Sequence, residues 1–261
     1  MEFLTQLFSR GLTHSAIGTA RSAISSFTKI CGNVDIGADI LVRRFMRGIF
    51  LKRPSLPKYS HTWDVNLVLN YLTGLNDVTL LQLSSKLCIL FLLLSAQRCQ
   101  TLHLIRLEDI SFSRESLTIK AAHLLKQSRP GRHVADMVFT SYTKNDKLCL
   151  VKTMRAYMDR TRRLRGTESR LLISSQHPHK GVSKDTVGRW VKSVMHASGV
   201  DKGFGPHSTR SAATSRAKTK GVTLDIIMST AGWANAKTFA KFYDKPVQTQ
   251  LGVQAAVLGV D

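Results

Sequence analysis

Four residues near the C-terminus, His207, Arg210, Trp233 and Tyr243, stand in three short boxes: Pro206-His207-Ser208-Thr209-Arg210, Gly232-Trp233 and Phe239-Ala240-Lys241-Phe242-Tyr243. A second arginine, Arg98, lies upstream in Ser95-Ala96-Gln97-Arg98-Cys99-Gln100-Thr101-Leu102. These types suit cleavage of a phosphodiester by in-line attack, which builds negative charge on the non-bridging oxygens. An arginine fork donates two parallel charge-assisted hydrogen bonds and keeps its proton. A tyrosine supplies an oxygen nucleophile, and the phosphodiester it forms conserves the energy of the bond it breaks, so rejoining needs no ATP. A histidine can exchange a proton with the phenol or orient it. The single indole N–H of a tryptophan bonds a phosphate oxygen and cannot transfer a proton. The leaving oxygen needs a general acid, a task suited to a lysine. Such chemistry requires neither metal nor cofactor, and none is expected; the sequence has no clustered carboxylates to hold a metal.

The elements that must position these residues are read from apolar periodicity. Helices are expected over 3–9, 15–30 and 39–50, the last with Ile40, Leu41, Phe45, Ile49 and Phe50 on one face and Arg43, Arg44 and Arg47 on the others. Two prolines in Lys52-Arg53-Pro54-Ser55-Leu56-Pro57-Lys58 mark a linker, which divides the chain into domains 1–56 and 59–261. Helices follow over 64–75 and 79–96. A β-patterned region runs from 110 to 139, with a tight turn at Ser128-Arg129-Pro130-Gly131. Further helices are expected over 147–163, 183–198, 208–218, 223–231 and 237–242, and Pro246 is expected to end the last one. No internal repeat or low-complexity tract is present. The fold class is mostly α with a small antiparallel β-sheet.

The chain of 261 residues carries a formal charge of +21, from 38 Lys plus Arg against 17 Asp plus Glu. That excess costs self-repulsion and is usually neutralised by a polyanion. Nucleic acid is the favoured partner, ahead of a membrane surface. The basic groups at Arg43, Arg44 and Arg47, and at Arg160, Arg162, Arg163 and Arg165, read equally as phosphate contacts or as solvated faces. Cys31, Cys88, Cys99 and Cys149 form no C-x-x-C pair and suit reduced thiols of a cytosolic or nuclear protein. The apolar run 87–94 is too short to span a bilayer, and the N-terminus lacks the features of a secretory signal. No membrane association is expected.

The three C-terminal boxes resemble those of tyrosine recombinases, where H-x-x-R is followed by His or Trp and then by Tyr. Arg210 and Trp233 are 23 residues apart, as in that family, and Trp233 and Tyr243 are 10 apart, one more than in its best-known bacterial and phage members. The wording is closest to the recombinases of DIRS-type retrotransposons. The upstream box, ending in Leu107-Glu108-Asp109-Ile110, resembles the first-arginine box of the family, with Arg98 in the catalytic place and Asp109 as the trailing acidic residue. Ala96 stands where many members have Gly, and Thr101 where they have Glu. Taken singly, Arg98 reads as a helix-end salt bridge, His207 as a cap, Trp233 as a core plug and Tyr243 as a surface aromatic. Order and spacing together outweigh those readings.

The resemblance covers almost the whole chain, because residues 13–56 are similar to the later helices of the family's DNA-clamping domain. It implies a tyrosine recombinase catalytic core preceded by an N-terminal helical DNA-clamping domain about one helix short, as in a fragment or a shortened gene. It implies Tyr243 as nucleophile, forming a 3′-phosphotyrosyl link, with Arg98, Lys126, His207, Arg210 and Trp233 as the other catalytic residues. The family keeps its lysine in the hairpin between the boxes; Lys126 is preferred there over Lys120. Arg43, Arg44, Arg47, Arg129 and Arg132 are the expected DNA contacts. Double-stranded DNA is the implied partner, held by four protomers that are monomeric or weakly associated when free. Localisation is expected to be nuclear in a eukaryote and otherwise cytoplasmic. Two rivals share the fold: a type IB topoisomerase and a domesticated DNA-binding protein that no longer cuts.

Overall fold

Apolar side chains gather in separate clusters on either side of the proline-containing stretch, and the chain divides there into two units, Met1–Lys58 and Tyr59–Asp261. The computed structural model describes residues 1–54, 57–76, 78–121 and 135–247. The N-terminal unit holds α1 (Glu2–Ser9), α2 (His14–Gly32) and α3 (Ile40–Lys52). Thr13 caps α2 by accepting from the Ala16 amide, and Asn33 ends it in the left-handed conformation. The Asp39 carboxylate starts α3 by accepting from the Leu41 and Val42 amides.

The buried face of α3 is Val42, Met46 and Ile49, packed on Leu4 and Ile17. This corrects the expected face, since Ile40, Leu41 and Phe50 are exposed. Around the helix axis Ile40 and Leu41 lie roughly 200° and 100° from Val42, too far to share one stripe. The three helices bury only a narrow stripe each. Arg43, Arg44 and Arg47 are exposed, away from the core.

The second unit is mostly helical around one small sheet: α4 (Val65–Gly74), α5 (Leu80–Ser95), α6 (Cys99–Leu104), β1 (Ile110–Phe112), β2 (Ser116–Ile119), β3 (Met137–Thr140), α7 (Leu150–Thr161), α8 (Lys184–Ala197), α9 (Ser208–Thr219), α10 (Leu224–Ala231) and α11 (Ala236–Phe242). Helix α5 is its axis. A reciprocal Thr79–Gln82 capping box starts it, and every residue from Leu83 to Leu93 is buried. A helix apolar on all sides must be enclosed, and α7, α8 and α9 pack against it. The sheet is antiparallel in the order β1-β2-β3, with Ile110 opposite Ile119 and Leu117 opposite Phe139. Leu117 and Ile119 point into the core. The expected turn at 128–131 lies outside the described residues.

Two further differences from the sequence reading bear on the boxes. The short helix α6 follows directly on Arg98 and was not expected, because six residues hold too few turns to show a period. Helix α11 ends at Phe242, so Pro246 does not terminate it; Tyr243 already has φ −125° and ψ −24°. No helix among the described residues is long and apolar enough to cross a membrane.

Candidate active site

His207 sits at the N-cap of α9, and the loop leading to it is held from the start of the second unit. The Tyr59 hydroxyl accepts from the Gly205 amide (3.0 Å) and lies 3.2 Å from the Gly203 carbonyl, to which it donates. The Trp63 indole donates to the Ser208 hydroxyl (2.9 Å), which donates in turn to the Gly205 carbonyl (2.7 Å). Another link joins this segment to the chain beyond Tyr243, where the Thr62 amide donates to the Pro246 carbonyl (2.9 Å).

One turn into α9, Arg210 is fully buried. Its Nη2 donates to the carbonyl of Ala231, the last residue of α10, at 2.6 Å. Nε and Nη1 of the same guanidinium have no hydrogen-bond acceptor among the described residues. Burial, followed by the nearby Arg98 cation, pulls the Arg210 pKa below its ordinary value, while Tyr243 opposes that shift. A buried cation with two donors left over is costly unless an anion completes it.

Gly232 ends α10 at φ 69°, a left-handed conformation that suits glycine, and the Trp233 amide returns to the Met228 carbonyl (2.9 Å). That closure places the Trp233 ring against Arg210, with Cζ 4.4 Å from the ring centroid. The Tyr243 ring neighbours both, 4.4 Å from the Trp233 ring between centroids and 5.6 Å from Arg210 Cζ. Its hydroxyl is 3.0 Å from His207 Nε2. The four C-terminal candidates thus meet in one place, with the phenol oxygen hydrogen-bonded to an imidazole beside a buried guanidinium.

Arg98 stands at the α5–α6 turn, near enough for its charge to lower the Arg210 pKa. It is half-buried and occupies the N-cap of α6 without a side-chain capping bond. Before it, Ala96 has φ 50°, the left-handed conformation that a glycine adopts more readily. The buried Gln97 ties this turn to α10 by donating to the Thr230 carbonyl (2.8 Å), and its Oε1 accepts from Thr101 (3.3 Å). Asp109 closes the turn after α6 by accepting from the Arg106 amide (2.8 Å).

Lys126, Arg129 and Arg132 lie outside the described residues. Lys120 is exposed just beyond β2. Arg43, Arg44 and Arg47 belong to the N-terminal unit. Sequence reasoning missed Gln97, Trp63, Ser208, Ser211 and Ser215, all buried at or near the site. One signal was available: α9 is polar by composition, yet a helix that carries Arg210 inward buries the serines and threonines around it as well.

The structure shares its fold with several solved recombinases and integrases. It is similar to the Tn1549 transposon integrase in complex with transposon right end DNA, at TM-score 0.61 and 15% identity, over 99% of this chain and 83% of that one. It is similar to a dimer of lambda integrase(75-356) bound to a COC′ core site, at TM-score 0.54 and 14% identity, over 97% of this chain and 81% of that one. It is also similar to the XerH site-specific recombinase bound to difH substrate in the pre-cleavage complex, at TM-score 0.54 and 12% identity, over 92% of this chain and 69% of that one. No curated protein sequence matches the chain. The family model described as the phage integrase family matches residues 67–248, and the chain belongs to that family.

Proposed function

We propose that this chain is a tyrosine recombinase that cuts a DNA strand with Tyr243 and rejoins it to another. The observation that carries the reading is the Tyr243 hydroxyl, 3.0 Å from His207 Nε2 and beside the buried Arg210, whose Nε and Nη1 meet no acceptor within hydrogen-bond geometry among the described residues. The phosphate binds against Arg98 and Arg210, which neutralise the charge that grows on its non-bridging oxygens. His207 takes the phenol proton as the Tyr243 oxygen attacks phosphorus. The bond from phosphorus to the 5′-oxygen breaks, and that oxygen takes a proton, which we assign to Lys126. One phosphodiester replaces another, so the 3′-phosphotyrosyl link reverses by attack of a 5′-hydroxyl without metal or ATP. The indole of Trp233 borders the phosphate site. The N-terminal unit grips the duplex through Arg43, Arg44 and Arg47, aided by Arg129 and Arg132, and four protomers on two DNA sites exchange strands. Box wording favours a DIRS-type retrotransposon origin.

Incubation with nicked or supercoiled DNA, followed by denaturing electrophoresis, tests the reading. Wild-type protein should leave a covalent protein–DNA band. Tyr243→Phe should leave none while binding DNA almost as well, since it removes one oxygen and no charge. A normal adduct yield from the variant would overturn the assignment of the nucleophile. Relaxation without strand exchange favours a topoisomerase, and binding without adduct favours a non-cutting protein.

The lysine is tested with DNA whose bridging 5′-oxygen is sulfur, a leaving group that needs no proton. Lys126→Ala should cut ordinary DNA poorly and the sulfur-substituted strand nearly as fast as wild type does. Rescue of Lys120→Ala instead would transfer the role to Lys120.

A further inference from the structure

We propose that Ser211 and Ser215 are positioning residues, which grip the backbone of residues 243–245 and so hold the Tyr243 phenol against His207 and Arg210 of the helix they share. The proposal rests on the reading of Tyr243 as nucleophile. Helix α11, which delivers that tyrosine, has seven residues and buries only Phe239. So short a helix does not hold itself in place, and its last carbonyls need partners from elsewhere.

Those partners come from one stripe of α9. The Ser211 hydroxyl donates to the Tyr243 carbonyl at 2.9 Å, and the Ser215 hydroxyl donates to the same oxygen at 2.8 Å. The Ser215 oxygen also accepts from the Lys245 amide (3.0 Å), and the Lys218 ammonium meets the Asp244 carboxylate (2.5 Å). Positions 211, 215 and 218 follow one another along a single helix face. A hydroxyl within a helix ordinarily turns back to the carbonyl one turn earlier. Thr214 does so to Arg210 (2.8 Å) and Thr219 to Ser215 (3.0 Å). Ser211 and Ser215 instead reach across to Tyr243, although both are buried in the same helix. With its carbonyl pinned on α9, Tyr243 retains only its side-chain torsions, and the bond to His207 and the Trp233 ring restrict those.

The test uses full-length protein carrying 3-fluorotyrosine, read by fluorine NMR. The chain has 5 tyrosines, and the Tyr243 signal is the one absent from Tyr243→Phe. Lying 4.4 Å from the Trp233 ring at a tilt of 38°, it should be displaced by the indole ring current. In the Ser211→Ala/Ser215→Ala double variant it should move to the position of a solvent-exposed tyrosine while the other signals stay. Adduct formation on supercoiled DNA should slow on the order of 10- to 100-fold, the usual effect of a misplaced reacting group, at unchanged DNA affinity. A Tyr243 signal that stays put overturns the proposal, as does adduct formation at the wild-type rate. If all five signals collapse, the variant has unfolded and Lys218→Met, at the exposed end of the grip, decides: its Tyr243 signal must shift in the same direction, and no shift overturns the proposal. A signal that answers to the serines in a wild-type protein that forms no adduct sinks the recombinase reading and leaves the grip intact.

Discussion

Two arginines brought to one place repel each other, and Arg210 pays more of that cost because it is fully buried whereas Arg98 is half-buried. The repulsion lowers the Arg210 pKa after the larger effect of burial. A phosphate between the two relieves both effects, so the pair is unfavourable in the free protein and favourable once an anion is bound. Arg98→Ala should therefore stabilise the free protein while abolishing the covalent adduct. Water reaches Arg98 and screens the pair, which limits the gain to under about 1 kcal/mol, or roughly 1–3 °C in melting temperature. Calorimetry in phosphate-free buffer checks it: a lower melting temperature in the variant would mean that Arg98 holds the turn structurally and is not strained by Arg210.

Between α5 and α6 the chain must reverse sharply to present Arg98, and Ala96 makes that turn at φ 50°. A left-handed alanine costs roughly 1–2 kcal/mol. Its buried methyl, in the cluster of Ile227, Ala231, Trp233 and Phe239, returns about 0.8 kcal/mol, and glycine adds unfolded-state freedom of roughly 0.5–1 kcal/mol. These nearly cancel, so Ala96→Gly should change stability in urea by less than about 1 kcal/mol. Ala96→Val puts a β-branched side chain at positive φ in a filled site, and a loss above about 2 kcal/mol is expected. Equal urea midpoints for the two variants would show that the turn is not under strain. The departure from glycine at this position is legible in the sequence; its conformation is not. The same division holds elsewhere. His207, Arg210, Trp233 and Tyr243 can be read from order and spacing, because a constellation of rare types is informative without any geometry. The α5 core is legible because an unbroken apolar run has to be enclosed. The buried face of α3 is not, since a helix with apolar residues on several sides exposes some of them and packing alone selects which. Nor are Gln97, Ser211 and Ser215 legible, because a polar side chain on a helix does not reveal in the sequence whether its bond returns to its own turn or crosses to another element.

At the scale of the whole molecule, the +21 charge favours a polyanion as partner, and under the proposed reading the site would decide which subunit supplies the nucleophile. Subunits assembled on DNA have two ways to complete a cut: each uses its own tyrosine, or each lends it to a neighbour. The Tyr243 carbonyl bonds to Ser211 and Ser215, its hydroxyl to His207, and its ring lies on Trp233, all within one chain. Lending the tyrosine to a neighbour breaks all of these contacts. Two partly buried hydrogen bonds at about 1 kcal/mol each and an aromatic pair at about 0.5–1.5 kcal/mol hold the tyrosine in its own subunit before any exchange. Delivery within the subunit is therefore expected. A mixture of Tyr243→Phe protein, which keeps its arginines, with Arg98→Ala protein, which keeps its tyrosine, then contains no subunit with a complete site. It should form no more adduct on supercoiled DNA than either variant alone. Half-buried Arg98 is the better partner for this mixture than Arg210, whose removal would empty a buried position and confuse misfolding with loss of chemistry. If the mixture forms adduct, and the labelled DNA strand migrates with the Arg98→Ala chain, the tyrosine crosses between subunits and the contacts seen in one chain describe only its resting state.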